Sequence, residues 1–184
     1  SLIAHEEVVR QAQQKAGEIL GQADFARDLL EACKQSGLHT AVESTANAPF
    51  ETISRILPFL DLYLLDIKHM NSAKHKEYTG AGNELILENA KRLAESGVEL
   101  IIRTPVVPNF NDTPEEIRAI SKFAASLRGV KEHHLLPYHR LGQDKYSGLG
   151  RRYALEGVEP PSKEKMEYLK ACAEECGLKC QIGG

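Results

Sequence analysis

A parallel α/β sheet covered by helices is the fold class this sequence predicts, on three observations. Apolar runs that read as strands alternate with helical patterns along the chain. The runs are nearly continuous in apolar residues, the mark of strands buried on both faces. Four such units follow one another without a low-complexity linker, so residues 1–184 read as one domain whose strands form an arc rather than a closed eight-fold barrel. Crossovers between the strands are expected to be right-handed.

The elements follow in order. "ADFARDLLEACKQSG" places Phe25, Leu29, Leu30 and Cys33 on one helical face and ends at Gly37, a natural C′ residue. "HTAVEST" reads as a short strand. Phe50, Ile53, Ile56 and Leu57 suggest a helix, and Leu62 to Ile67 form a buried strand. A helix from Glu84 to Ser96 stops at Gly97, and "VELIIRTPVV" is the next strand. The clearest helix start follows, with Thr113 as N-cap, Pro114 at the first helical position and Glu116 completing a capping box. Ile117, Ile120, Phe123 and Leu127 form the apolar stripe of that helix. "HHLLPYH" is the fourth strand. A glycine-punctuated loop leads to a last helix near Ser162 to Cys176, after which "LKCQI" can add an edge strand.

Composition excludes several function classes. With 42% hydrophobic and 27% charged residues the chain is ordinary globular material, and its net charge of −3 gives no sign of a nucleic-acid or anionic-membrane partner. No apolar run approaches the ~20 residues of a membrane span, and no signal peptide opens the sequence. Four cysteines without a secretory signal fit a reducing cytoplasm.

In open parallel sheets, ligands bind beyond the carboxyl ends of the strands. The polar residues there are Glu43, Ser44 and Thr45, then Asp66 and Lys68, then Arg103, then Tyr138 and His139. Carboxylates, fixed cations and a histidine converging on one mouth suit a zwitterionic, hydrogen-bonding small molecule. Each charge taken alone could equally be the point where a strand meets water. The other histidines invite plainer readings. His5 lies on a polar helix face, His39 opens a strand, and His69 and His75 flank a loop and are expected to face solvent. His133 and His134 are neighbours on a strand and point to opposite faces.

"LLDIKHMN", "IIRTPVVPNFND" and "HHLLPYHRLGQDKYSGLG" together resemble the activating enzymes of glycyl radical enzymes, the pyruvate formate-lyase activase group of the radical S-adenosylmethionine superfamily. The resemblance runs from about Ala23 to the C-terminus, and its most specific strings are Asp66 to Asn71 and Leu136 to Tyr146. It implies a partial parallel (β/α) barrel of six units, open on one side. It also implies S-adenosylmethionine (SAM) bound across the strand ends on a [4Fe-4S] cluster, and a radical that takes hydrogen from a glycine of a partner enzyme. The partner implied is a pyruvate formate-lyase-like glycyl radical enzyme, with a flavodoxin-type or similar electron donor.

Residue by residue, the resemblance assigns Lys68 to the SAM carboxylate and ribose. Asp66 and Glu43 go to the nucleoside and to a monovalent cation shared with Ser44, although the family more often has aspartate at Glu43. His139 matches the histidine near the adenine, and Arg103 the arginine of the adjoining strand. Gly17 and Glu18 match the motif that receives the SAM amino group, with Ala16 replacing its first glycine. The loop from Leu141 to Arg152, with Lys145, Tyr146 and Arg151, is the expected rim of the partner groove; Pro108 to Asp112 is the alternative.

The family's Cys-x3-Cys-x2-Cys motif is absent. A cluster with one open iron needs three thiolates at short spacing. Cys33 reads as a core cysteine of its helix. Cys172 and Cys176 sit one helical turn apart, while Gly177 should end that helix and carry Cys180 into the last strand, so these read as buried structural thiols. The first two barrel strands are also missing from the pattern, and the expectation is a fragment inactive alone. Three functions stay open, in this order: an activase lacking its cluster-bearing part, a cluster-free SAM- or nucleotide-binding module, and a β/α-barrel lyase using Lys68 as a Schiff base.

Overall fold

The structure is a computed structural model that describes residues 19–138 and 159–183. A 3-10 turn (Ile19–Gln22) leads into α1 (Ala23–Gln35), β1 (Ala41–Ser44) and α2 (Phe50–Ser54). After a second 3-10 turn (Leu57–Phe59) come β2 (Leu62–Asp66), α3 (Ser72–Thr79), α4 (Glu84–Ser96) and β3 (Glu99–Val106). Then follow α5 (Pro114–Ser126), β4 (Glu132–Pro137), α6 (Lys163–Glu174) and β5 (Lys179–Ile182).

The strands form one five-stranded sheet in the order β1-β2-β3-β4-β5, every pair parallel. Because spatial order equals chain order, right-handed crossovers put every connecting helix on the same side. Burial shows the result. Val42, Tyr63, Leu65, Ile102, Val106, Leu135 and Cys180 are buried on the helix side, whereas Leu62, Leu64, Asp66, Ile101 and Arg103, one residue out of phase, are only half-buried. The second face of the sheet is therefore open among the described residues, as in a barrel wall.

Local chemistry explains the helix ends. Asn71, Thr113 and Ser162 each accept a hydrogen bond from the amide three residues on, at 3.0–3.2 Å, the N-cap bond that satisfies an otherwise orphaned donor. Gly97 ends α4 at φ +85°, where a side chain would be strained. The expected helix Glu84 to Ser96 and the Thr113–Pro114 start are both observed.

Two expectations about local packing are corrected. The buried stripe of α1 is Ala26 and Leu30, while Phe25 and Leu29 are 65% and 49% exposed. Adjacent helical residues lie ~100° apart, so both stripes satisfy the same periodicity, and the smaller Ala26 lets the helix approach the sheet. The capping box is also only half formed. Thr113 accepts from Glu116 N, but the Glu116 carboxylate turns away to accept from Met70 N at 2.5 Å.

The apolar core divides in two. The larger part packs α1, α2, α4 and α5 on β1–β3, and the smaller gathers Val106, Ile117, Leu135, Met166, Leu169, Ala173 and Cys180. A buried polar chain accompanies them. His133, fully buried, bonds Thr104 Oγ1 at 2.8 Å through Nε2 and Ser121 Oγ at 2.9 Å through Nδ1. Burial pushes its imidazole down to about 3, so the ring is neutral: with Thr104 Oγ1 donating to Ile67 O, Nε2–H donates to Thr104 and Nδ1 accepts from Ser121 Oγ.

Candidate functional site

The charged residues meet on the open face at the carboxyl end of the sheet. Asp66 of β2 and Arg103 of β3 are register partners, and Arg103 is in turn the partner of His134 on β4. From β3 the Arg103 guanidinium reaches across β2 to Glu43 of β1, with two parallel bonds of 2.7 and 2.8 Å to the two carboxylate oxygens. Its Nε, which makes no hydrogen bond, lies 3.5 Å from Asp66 Oδ1. Such a fork holds a carboxylate in a fixed plane, which a lysine could not do. Arg103 and Asp66 side chains are 12% and 13% exposed and Glu43 56%, so the cluster is walled on one side and open on the other.

Lys68 follows on the same edge. Ile67 N still bonds Arg103 O at 2.9 Å, extending the ladder past β2, and Ile67 is buried on the helix side. Alternation therefore puts Lys68 on the face of Asp66. Its ammonium makes no ion pair with another described residue, and the segment's backbone is held by side chains from elsewhere: Lys68 O accepts from Asn111 Nδ2 at 2.7 Å. Farther down the open face Glu132 bonds His134 Nε2 and Lys179 Nζ, both at 2.9 Å, and those bonds lower its pKa.

Glu43, Asp66, Lys68 and Arg103 are thus brought together. Ser44 is not. It lies on the helix side of β1, 2% exposed, and its Oγ accepts from Ala46 N at 2.9 Å, which corrects the expectation that it faces a cation with Glu43. No group of three or more His, Cys, Asp or Glu among the described residues is placed to hold a metal. Gly17, Glu18 and His139, and the loop from Leu141 to Arg152, lie outside the described residues.

His69 and His75, expected in solvent, are each 3% exposed. His69 lies between β2 and α3, where its Nδ1 accepts from Asn71 N at 2.9 Å, and His75 lies within α3 with its Nδ1 2.7 Å from Ala81 O. Burial lowers the His69 pKa, with Glu116 opposing at 3.0 Å. The residues that sequence reasoning missed are Asn83, Asn111 and Glu116, which grip this segment from outside. Asn111 stands in the stretch Pro108 to Asp112, and nothing in its neighbours signals that it is fully buried.

All four cysteines are described. Cys172 and Cys180 are buried, the second within the small core on the helix side, and burial pushes the Cys180 thiol up to about 12. Cys33 and Cys176 are half-buried, and Cys176 Sγ lies 3.8 Å from Arg118 O on α5. These thiols do not fit an iron–sulfur cluster, which needs ionised sulfurs grouped beside the open face.

No protein-family model matches the chain. The chain is 38% identical over 165 residues to the pyruvate formate-lyase 1-activating enzyme of Escherichia coli, covering 89% of this chain and 67% of that protein. It is 44% identical over 145 residues to the (2S)-3-sulfopropanediol sulfolyase activating enzyme of Bilophila wadsworthia, covering 78% of this chain and 48% of the relative. Among solved structures, a domain of the pyruvate-formate lyase-activating enzyme of Bacteroides vulgatus superposes with a TM-score of 0.75 at 32% identity, covering 90% of this chain and 93% of that one.

Proposed function

The chain belongs to the activating enzymes of glycyl radical enzymes, and on that premise we propose that its open sheet face is the SAM-binding wall of such an activase. One observation carries the assignment: Glu43, Asp66, Lys68 and Arg103 converge at the carboxyl end of parallel strands, on the face that no described helix covers. Two carboxylates and two cations are formally neutral together, and they complement a ligand bearing a carboxylate, an ammonium group and ribose hydroxyls.

When bound, SAM supplies the hydrogen-abstracting group and the reduced cluster supplies the electron. This chain's part is placement. Lys68, with no described ion-pair partner, holds the ligand carboxylate and ribose. Asp66 accepts from ribose hydroxyls. Arg103 stands between Glu43 and Asp66 and fixes the plane of the Glu43 carboxylate. Leu62, Leu64 and Ile101 floor the site and limit water. Gly17, Glu18 and His139 complete the contacts by resemblance.

The cluster's thiolates come from outside these 184 residues, since none of the four cysteines present suits it. The partner is a glycyl radical enzyme of the pyruvate formate-lyase type, reduction comes from a flavodoxin-type donor, and the setting is an anaerobic cytoplasm. No described helix is long and apolar enough to cross a membrane.

The test is anaerobic calorimetry of SAM binding to the intact activating enzyme that contains this region. Lys68→Ala should weaken binding by roughly 1.5–3 kcal/mol, on the order of 10- to 100-fold, the scale of a lost charge-assisted hydrogen bond. Unchanged affinity would remove Lys68 from the site.

A further inference from the structure

A chain leaving a strand ordinarily turns its carbonyls to water or to the next turn. After β2, four consecutive carbonyls are instead taken by side chains from other elements. Thr104 Oγ1 donates to Ile67 O at 2.9 Å, Asn111 Nδ2 to Lys68 O at 2.7 Å, and Asn83 Nδ2 to His69 O and Met70 O at 2.7 and 2.8 Å. Glu116 takes the Met70 amide from the other side. Every donor in this cradle is itself buried: Thr104 and Asn111 are 0% exposed and Asn83 3%.

Asn111 is the member that reaches Lys68. Its second amide proton goes to Pro105 O at 2.8 Å, and its Oδ1 accepts from Val107 N at 2.7 Å. One side chain thus ties the exit of β2 to the exit of β3, and its amide donors and acceptor are all used in doing so. Buried and fully bonded, it has no other orientation of comparable energy.

We propose that Asn111 is a positioning residue for Lys68. By fixing the peptide plane at Lys68 it fixes the direction in which the Lys68 side chain leaves the backbone, and so where the ammonium stands relative to Asp66 and Arg103. Asn111 would not touch SAM, and it acts through Lys68 alone. A displacement of about 1 Å in such a group can cost on the order of 100-fold in an enzyme, so one carbonyl bond beneath a lysine matters. The inference rests on the reading of Lys68 as a SAM ligand.

A double-mutant cycle on the intact activating enzyme separates the two ideas, with SAM affinity by calorimetry and melting temperature on each protein. Asn111→Ala should weaken SAM binding about 5- to 30-fold when Lys68 is present and less than about twofold in the Lys68→Ala background. Equal losses in both backgrounds would overturn the positioning role, because general loosening of the site does not depend on Lys68. No loss from Lys68→Ala alone would overturn the underlying reading and the inference with it. Should Asn111→Ala not fold, Asn111→Ser keeps one donor and is read in the same cycle; its smaller loss must likewise vanish without Lys68, and persistence of that loss refutes the proposal.

Discussion

Lowering the pH from 7.5 to 5.0 should destabilise the fold through His133. Its folded pKa is held near 3 by burial, against about 6.5 when unfolded. A depressed histidine contributes stability that is fully present above the unfolded value and is lost as the pH falls from about 6.5 towards 3. At pH 5 the unfolded chain has bound the proton and the folded chain has not. The difference is RT ln[(1 + 10^1.5)/(1 + 10^−2)], about 2 kcal/mol. The phenylalanine variant His133→Phe removes the proton site while retaining a ring. In the variant Thr104 keeps its hydroxyl bond to Ile67 O at 2.9 Å, and the Ser121 proton, no longer taken by the ring, goes to Ile117 O at 2.7 Å. Urea denaturation of both proteins at both pH values isolates the effect, since His69 and the surface groups titrate alike in each and cancel. The wild type should lose about 2 kcal/mol more than the variant, or ~4–8 °C in Tm. Equal pH dependence in the two proteins would mean that His133 titrates in the fold as it does in the unfolded chain and would refute the reasoning, and a wild type that gained stability relative to the variant on acidification would mean that the ring is already protonated, its two N–H groups donating to the two hydroxyls.

Two further outcomes follow from burial and charge. Under iodoacetamide at pH 8, peptide mapping should find Cys33 and Cys176 alkylated well before Cys172 and Cys180; a thiol with a pKa near 12 has a thiolate fraction of roughly 10⁻⁴ at that pH, and early labelling of Cys180 would contradict its placement. Replacing Arg103 by glutamine should cost about 1–3 kcal/mol in urea denaturation, because Glu43 is more than half exposed but Asp66 is left nearly buried without its cation, and it should also weaken SAM binding. A stability loss above roughly 3 kcal/mol with unchanged affinity would make the pair a structural brace.

The sequence by itself determined the order and type of the elements apart from the short helix α3 (Ser72–Thr79), the parallel sheet, and the set of charges at its carboxyl end. Those follow from periods of two and 3.6 residues and from caps such as Thr113 and Gly97, all of which are short-range. Only the tertiary structure decided which of two equivalent stripes of α1 is buried, that Ser44 turns away from Glu43, and that His69 and His75 lie inside. It alone showed Glu116 reaching across 46 residues to Met70 and Asn111 reaching across 43 to Lys68. A helix period cannot say which stripe meets the sheet, because both satisfy it. A polar side chain is neutral about burial until a partner arrives, and here those partners are backbone groups far along the chain, whose positions exist only once the strands have paired.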